Sequence, residues 1–205
     1  MRWYVEKAKQ FQYGYDLTIV NNVPAYDLVD PFSMIVERAA GRENGVIVLL
    51  KVAKLVGGVV TPLEPGELEA FTAYMDAMKM AGTTLNVVSL PADVFNVDLT
   101  VFYDPLVLDS AGALILQPSV KPVEDAVNNY LSNVPFDGRY RRSALQDAVQ
   151  AVPSVRDVVV NNLQAKHGLL PYAAVPIHYD AVSGHAKVDP DHPLAATVTY
   201  IPYVA

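Results

Sequence analysis

The stretch Phe95-Asn96-Val97-Asp98-Leu99-Thr100-Val101-Phe102-Tyr103 decides how this chain reads. Phe95, Val97, Leu99, Val101 and Tyr103 recur at every second position, and a strand sends alternate side chains to opposite faces. One face is therefore apolar and turned to a core. Asn96, Asp98 and Thr100 line the other, which is expected to be wet or paired. This is a strand in a sheet covered on one side.

Upstream, residues 83–90 read as another strand, joined to the first through a Pro91-Ala92-Asp93 turn. Pro65-Gly66-Glu67 opens a helix in which Leu68, Phe71, Met75 and Met78 are three or four residues apart, and Gly82 lies just past its end. Before it, residues 46–54 are a β-branched run of strand length, closed by a Gly57-Gly58 turn. Downstream, Pro122 begins a helix with Val123, Ala126, Val127, Tyr130 and Leu131 on one stripe, and Asp137-Gly138 marks a turn. Ser143 followed by Gln146 has the form of a capping box for a short helix that buries Leu145, Ala148, Val149 and Val152 and stops at Pro153. Residues 155–163 return as a strand. The order strand, helix, strand, strand, helix, helix, strand predicts an α+β fold of ferredoxin-like α/β sandwich units, a mainly antiparallel sheet with helices on one face.

The flanks read differently. Residues 1–45 scatter aromatic side chains among polar ones without a sustained period and are expected to be an N-terminal arm serving attachment. Its one regular piece is a helix over 31–40, on the spacing of Phe32, Ile35, Val36 and Ala39. Residues 166–205 form a β-rich tail, in which 174–179 and the final strand around 197–202 are expected to pair as a C-terminal β-hairpin across the loop 180–193. The expected division is thus 1–45, 46–165 and 166–205.

With 205 residues, 52% of them apolar, the chain can bury most of its hydrophobic side chains. Its formal charge of -7 repels phosphate backbones and argues against nucleic acid or an anionic membrane as partner. There is no cysteine, so disulfides and thiolate metal sites are excluded. The first residues lack a secretory signal pattern, and the longest apolar run is broken by Lys51, Lys54 and Gly57-Gly58. A soluble protein made in the cytoplasm is expected.

Chemistry is sparse. Gly57-Gly58 has neither the third glycine nor the Lys-Ser/Thr pair of a phosphate loop. Ser89, Ser110 and Ser183 lack the strand-turn-helix elbow of a nucleophile. Asp98, Asp104 and Asp109 read as solvated acids. No catalytic or cofactor-binding residue, and no cofactor, is expected. In the tail, His178, Asp180, His185, Asp189, Asp191 and His192 are ligand types suited to a divalent cation, with His178, Asp180, His185 and His192 the candidates, but they spread over a loop instead of pairing on rigid elements. Interface anchors are sought among rigid aromatic rings and arginines: Trp3, Tyr4, Phe11, Tyr13 and Tyr15 in the arm, and Arg139, Tyr140 and Arg141 in the basic cluster.

The central stretch also resembles a known family. Lys51-Val52-Ala53, the helix start from Thr61-Pro62-Leu63 to Gly66-Glu67-Leu68, Ala81-Gly82-Thr83, Pro91-Ala92-Asp93, and Leu99-Thr100-Val101-Phe102-Tyr103-Asp104-Pro105 look like the baseplate J-like family. The helix 123–131, the Ser143-Ala144-Leu145 start and the strand entered at 152–159 extend the likeness over about residues 46–165. The resemblance implies a wedge component of a contractile phage tail or related injection particle. Such a subunit joins other baseplate proteins and copies of itself around the tail hub, has no catalytic residues, and resides in the virion after assembly in the host cytoplasm. Members commonly carry a longer region ahead of these units, which draws attention to residues 1–45 for attachment. Two other classes remain open: a small metal-binding enzyme or ligand-binding module using the His/Asp-rich loop, and a regulatory ferredoxin-fold module binding a small effector.

Overall fold

Two separate sets of buried side chains organise the chain, one drawn from residues 4–78 and the other from 95–198. The computed structural model describes residues 1–20 and 23–203 and divides accordingly into Met1–Pro91 and Ala92–Ala205. Asn21 and Asn22 of the expected arm, and Val204 and Ala205 of the expected tail, lie outside the described residues.

In the first unit α1 (Arg2–Lys9) precedes a small antiparallel pair, β1 (Thr18–Val20) with β2 (Val23–Ala25), and a single 3-10 turn at Pro31–Ser33. Then come β3 (Arg38–Asn44), β4 (Ile47–Val56), β5 (Val59–Thr61), α2 (Pro65–Met78) and β6 (Thr84–Val88). β4 is the central strand, antiparallel to β3 and β5 and parallel to β6. Gly57 and Gly58, both at positive φ, make the two-residue turn between β4 and β5, a conformation that glycine adopts without the Cβ penalty. α2 starts with a reciprocal cap: the Glu67 side chain accepts from the Glu64 N–H at 2.7 Å, and the Glu64 side chain accepts from the N–H of Glu67. Lys54 Nζ, 2.7 Å from Glu67 Oε2, ties that helix start to the sheet.

The expected arm is part of this core. Tyr4, Ala8 and Phe11 are buried with Phe71, Tyr74 and Met75 of α2, and the Phe11 and Phe71 rings meet edge to face at 5.3 Å. Tyr74 Oη donates to the Lys7 carbonyl at 3.0 Å, and Tyr4 Oη accepts from the Met80 N–H at 3.3 Å. Gln12, fully buried, donates to the Leu28 carbonyl at 2.9 Å and accepts from the Asp30 N–H, holding the segment that follows β2. The helix expected over 31–40 is absent. Asp30 accepts from the Phe32 N–H and supports one short turn, and residues 38–44 instead pair with β4 along its whole first half. Phe32, 98% exposed, belongs to no apolar stripe.

The second unit runs β7 (Asp93–Tyr103), α3 (Pro122–Asn133), β8 (Arg139–Arg141), α4 (Arg142–Gln150), β9 (Val155–Lys166), β10 (Ala173–Ala174), β11 (His178–Asp180), β12 (Ala186–Val188), α5 (Leu194–Thr197) and β13 (Val198–Pro202). β7 alternates as its sequence requires, with Phe95, Val97, Leu99, Val101 and Tyr103 buried. On its other face Asn161 Nδ2 donates to Asp98 Oδ1 and Thr100 Oγ1, both at 2.9 Å, so the polar row is paired. Val123, Val127 and Leu131 of α3 and Leu145 and Val149 of α4 cover the apolar face. α4 begins one residue ahead of Ser143, without a side-chain cap, so the expected capping box does not form.

The class is α+β with mostly antiparallel pairing. The elements of 46–165 do not share one sheet, however: β4 and β6 pair in the first unit, β7 and β9 in the second, and the ferredoxin-like order expected across that stretch is divided between them. The C-terminal hairpin is absent too. β10 adds antiparallel to β9, β11 pairs with β8, and β12 and β13 both lie parallel to β7. Residues 173–202 thus complete edges that β7, β8 and β9 would otherwise leave open, which outweighs pairing among themselves. At the far end a Cβ on Gly112, itself at positive φ, would overlap the Tyr200 ring, so this glycine lets the 104–118 loop lie against β13.

Because the arm residues are core residues, Phe11→Ala is expected to lower the stability of the first unit by about 3–5 kcal/mol, whereas Tyr13→Ala, on the surface, shifts it by less than about 0.5 kcal/mol. Urea denaturation followed by circular dichroism checks both.

Candidate functional site

Polar side chains gather at the start of β7. Asp93 has no solvent exposure, and a carboxyl group without water needs partners inside the chain. Its Oδ2 accepts from Tyr179 Oη at 2.6 Å and from the Val182 N–H at 2.8 Å. Its Oδ1 lies 2.8 Å from His167 Nδ1 and accepts from the Ser183 N–H at 3.2 Å. The Asp93 N–H in turn donates to the His185 carbonyl at 3.1 Å, and Ser183 Oγ donates to that same carbonyl at 2.7 Å. Every partner comes from residues 167–185, so one side chain fastens the segment that leads into β12.

A second acid, far along the chain but with its N–H bonded to the Phe95 carbonyl of β7 at 2.9 Å, repeats the pattern. Asp189, almost fully buried, has Lys166 Nζ at 3.6 Å and His192 Nδ1 at 3.4 Å, and accepts from the Asp191 N–H at 3.0 Å. The Lys166 ammonium also sits over the Tyr172 ring, 4.5 Å from its centre, and Tyr172 Oη is 3.2 Å from His192 Nδ1. These groups are engaged with one another in a lattice that holds the C-terminal segment.

The four metal candidates are dispersed. His178 is exposed on β11, Asp180 pairs with Arg139 (Nε to Oδ1 3.0 Å), His185 is buried with its ring stacked on Phe136 at 6.0 Å, and His192 faces Asp189. Among the described residues no group of three or more His, Cys, Asp or Glu is placed to hold a metal ion. The interface candidates divide as well. Tyr4, Phe11 and Tyr140 are buried in their own units and Trp3 is half-buried, its ring edge to face with Tyr4. Tyr140 packs on Phe95, their ring centres 5.4 Å apart. Tyr13, Tyr15, Arg139 and Arg141 are exposed, Tyr15 donating to Asp30 at 3.0 Å.

Apolar residues outside the expected set are more exposed than the expected aromatic rings. In the second unit Leu106 is 87% and Leu116 94% exposed, beside Val107 and Ile115. They rim a groove of about 280 Å³ together with Leu114 and Gln117. This loop is not loose. Leu108 and Ala113 are buried beneath it, Asp109 Oδ1 accepts from the N–H groups of Ala111 and Ala113, and Asp104 bonds Arg156 Nη2 at 2.6 Å. The Leu106 N–H and then Arg156 hold the Asp104 carboxyl below its usual range. In the first unit Phe32, Leu28 and Val29 are exposed in the same way, on the segment anchored by Gln12. The signal available in the sequence was Leu106, Val107, Ile115 and Leu116 standing in a loop with no period to bury them.

No protein-family model matches the chain, and no curated protein matches it either. No helix among the described residues is long and apolar enough to cross a membrane.

Two outcomes follow for the polar lattice. Asp93→Asn puts an amide NH₂ against a backbone N–H whichever way it is turned, and is expected to lower the stability of the second unit by about 2 kcal/mol or more in chemical denaturation. An unchanged midpoint would contradict this account of Asp93. Burial pushes the Tyr140 hydroxyl up to about 12 from 10.0, and burial followed by the bond to Asp93 raises Tyr179. The folded chain keeps protons that the unfolded chain releases near pH 10. Stability is therefore full below about pH 10 and falls as pH rises toward about 12. Denaturation midpoints measured across that interval, with tyrosinate absorbance recorded alongside, check the sign.

Proposed function

We propose that this chain is a structural subunit of a phage or phage-like tail baseplate, a wedge component that assembles with other baseplate proteins and with its own copies around the tail hub. The observation that carries the reading is the set of large apolar side chains, Leu106, Val107, Ile115 and Leu116, displayed on a loop whose base is fixed by buried residues and acid turns. Pre-ordered apolar surface of this kind loses little entropy on association, and patches of it on soluble proteins mark contact sites. The resemblance of residues 46–165 to the baseplate J-like family supplies the kind of assembly.

On this reading the work of the chain is packing, without covalent chemistry. Its -7 formal charge disfavours nucleic acid and anionic membranes as partners and leaves protein surfaces. The location is the tail baseplate of the virion, reached from the host cytoplasm where the parts assemble.

The test is incorporation. Tail particles are purified from cells producing a tagged chain, and the tag is quantified per particle for the unmodified chain and for Leu106→Ser with Leu116→Ser. Both positions are solvent-facing, so the variant is expected to keep its circular dichroism melting curve while its incorporation falls by about tenfold or more. Particles that lack the unmodified chain, or that take up the variant at the same level, would overturn the reading.

A further inference from the structure

β9 is a twelve-residue strand with β7 on one side. Its opposite edge is covered by β10 at Gln164 and Ala165 only, and the Val175 N–H extends that cover to the Leu163 carbonyl. From Arg156 to Val160 no strand lies alongside this edge among the described residues. Outward backbone groups of such an edge normally recruit another strand unless something occupies them.

Side chains of α4 occupy them. Gln150 Nε2 donates to the Arg156 carbonyl at 3.1 Å, Gln146 Nε2 to the Val158 carbonyl at 3.4 Å, and Arg142 Nη2 to the Val160 carbonyl. The donors are spaced i, i+4, i+8 and the acceptors two residues apart, running in opposite directions. Four helical residues advance about 6 Å and two strand residues about 6.6 Å, so the two rows stay in register over this length. The remaining outward group at the centre, the Val158 N–H, donates to Asp157 Oδ1 at 2.8 Å. The row is separate from the one that packs the helix, because Leu145 and Val149 face the core. α4 therefore does two tasks with two faces.

We propose that Arg142, Gln146 and Gln150 form an edge guard that closes β9 against strand addition by a second copy of this chain. The occupant follows from the edge itself. Val158-Val159-Val160 is a β-branched run of high strand propensity, and an identical edge offers it an antiparallel partner by two-fold symmetry. This inference stands on the β9 edge alone and does not depend on the baseplate reading.

The experiment uses the full chain with Arg142→Ala, Gln146→Ala and Gln150→Ala, which keeps helix propensity and the buried face of α4. Light scattering coupled to size exclusion is run over a concentration series beside the unmodified chain. The guard predicts self-association at least about tenfold tighter than that of the unmodified chain. Adding Asp157→Lys with Val159→Lys, which sets lysines opposite each other whether the two-fold axis passes residue 158 or residue 159, should reverse it. A folded triple variant that associates no more than the unmodified chain overturns the proposal, as does association indifferent to the two added lysines. If the triple variant does not fold, Gln146→Ala with Gln150→Ala carries the same test with Arg142 in place, and the same two outcomes decide.

Discussion

Asp93 begins β7 with no access to water, and its two carboxyl oxygens must find all their hydrogen bonds within the chain. Among the described residues the donors it finds, Tyr179, His167 and the N–H groups of Val182 and Ser183, lie between residues 167 and 183. That requirement makes the C-terminal segment a part of the second unit. With 178–185 fastened there, β12 is delivered beside Asp93, Val94 and Phe95, and β13 then lies parallel to the far half of the same strand. The apolar alternation of β7 supplies most of the burial, and the polar contacts of Asp93 decide which piece of chain closes its edge. A misplaced segment would leave the acid unsatisfied, at a cost comparable to a sizeable fraction of a small unit's stability.

The parts of the fold that were legible in sequence are those where one periodicity spans a whole element. β7 alternates without interruption over eleven residues, and α2 carries Phe71, Met75 and Met78 on one side with Pro65 at its start. The segments that misled lack such a period. Phe32, Ile35, Val36 and Ala39 mimic helical spacing, yet pairing with β4 claims residues 38–44, and local propensity yields to a neighbouring edge. Tyr4, Ala8 and Phe11 form only part of a stripe, because α1 is short and its complement lies on α2, more than sixty residues along the chain. The tail failed for a related reason. β10, β11 and β12 are each two or three residues long, and nothing local marks their partners.

For the candidate surface the same logic applies in reverse. Of the aromatic rings singled out, Tyr4, Phe11 and Tyr140 fill their own cores, Trp3 is half-buried, and Tyr13 and Tyr15 are exposed. Leu106 and Leu116, which carry no aromatic signal, are more exposed than any of these rings. The His and Asp residues of 178–192 looked like a ligand set by type alone. In the fold Asp180 answers Arg139, Asp189 answers Lys166, and His185 lies against Phe136, so each is absorbed by a different neighbour. Polar groups that stand together in the sequence here serve to hold a segment, and Leu106 and Leu116 of the 104–118 loop stay exposed.

Native-state amide hydrogen exchange on the intact chain tests the central claim most directly. If the Asp93 carboxyl makes the C-terminal segment integral to the second unit, the amides of Val182, Ser183 and β12 exchange only through the same global opening that exposes β7, with matching free energies and denaturant dependence. Exchange of those amides at the rate of a free loop, while β7 stays protected, would contradict it.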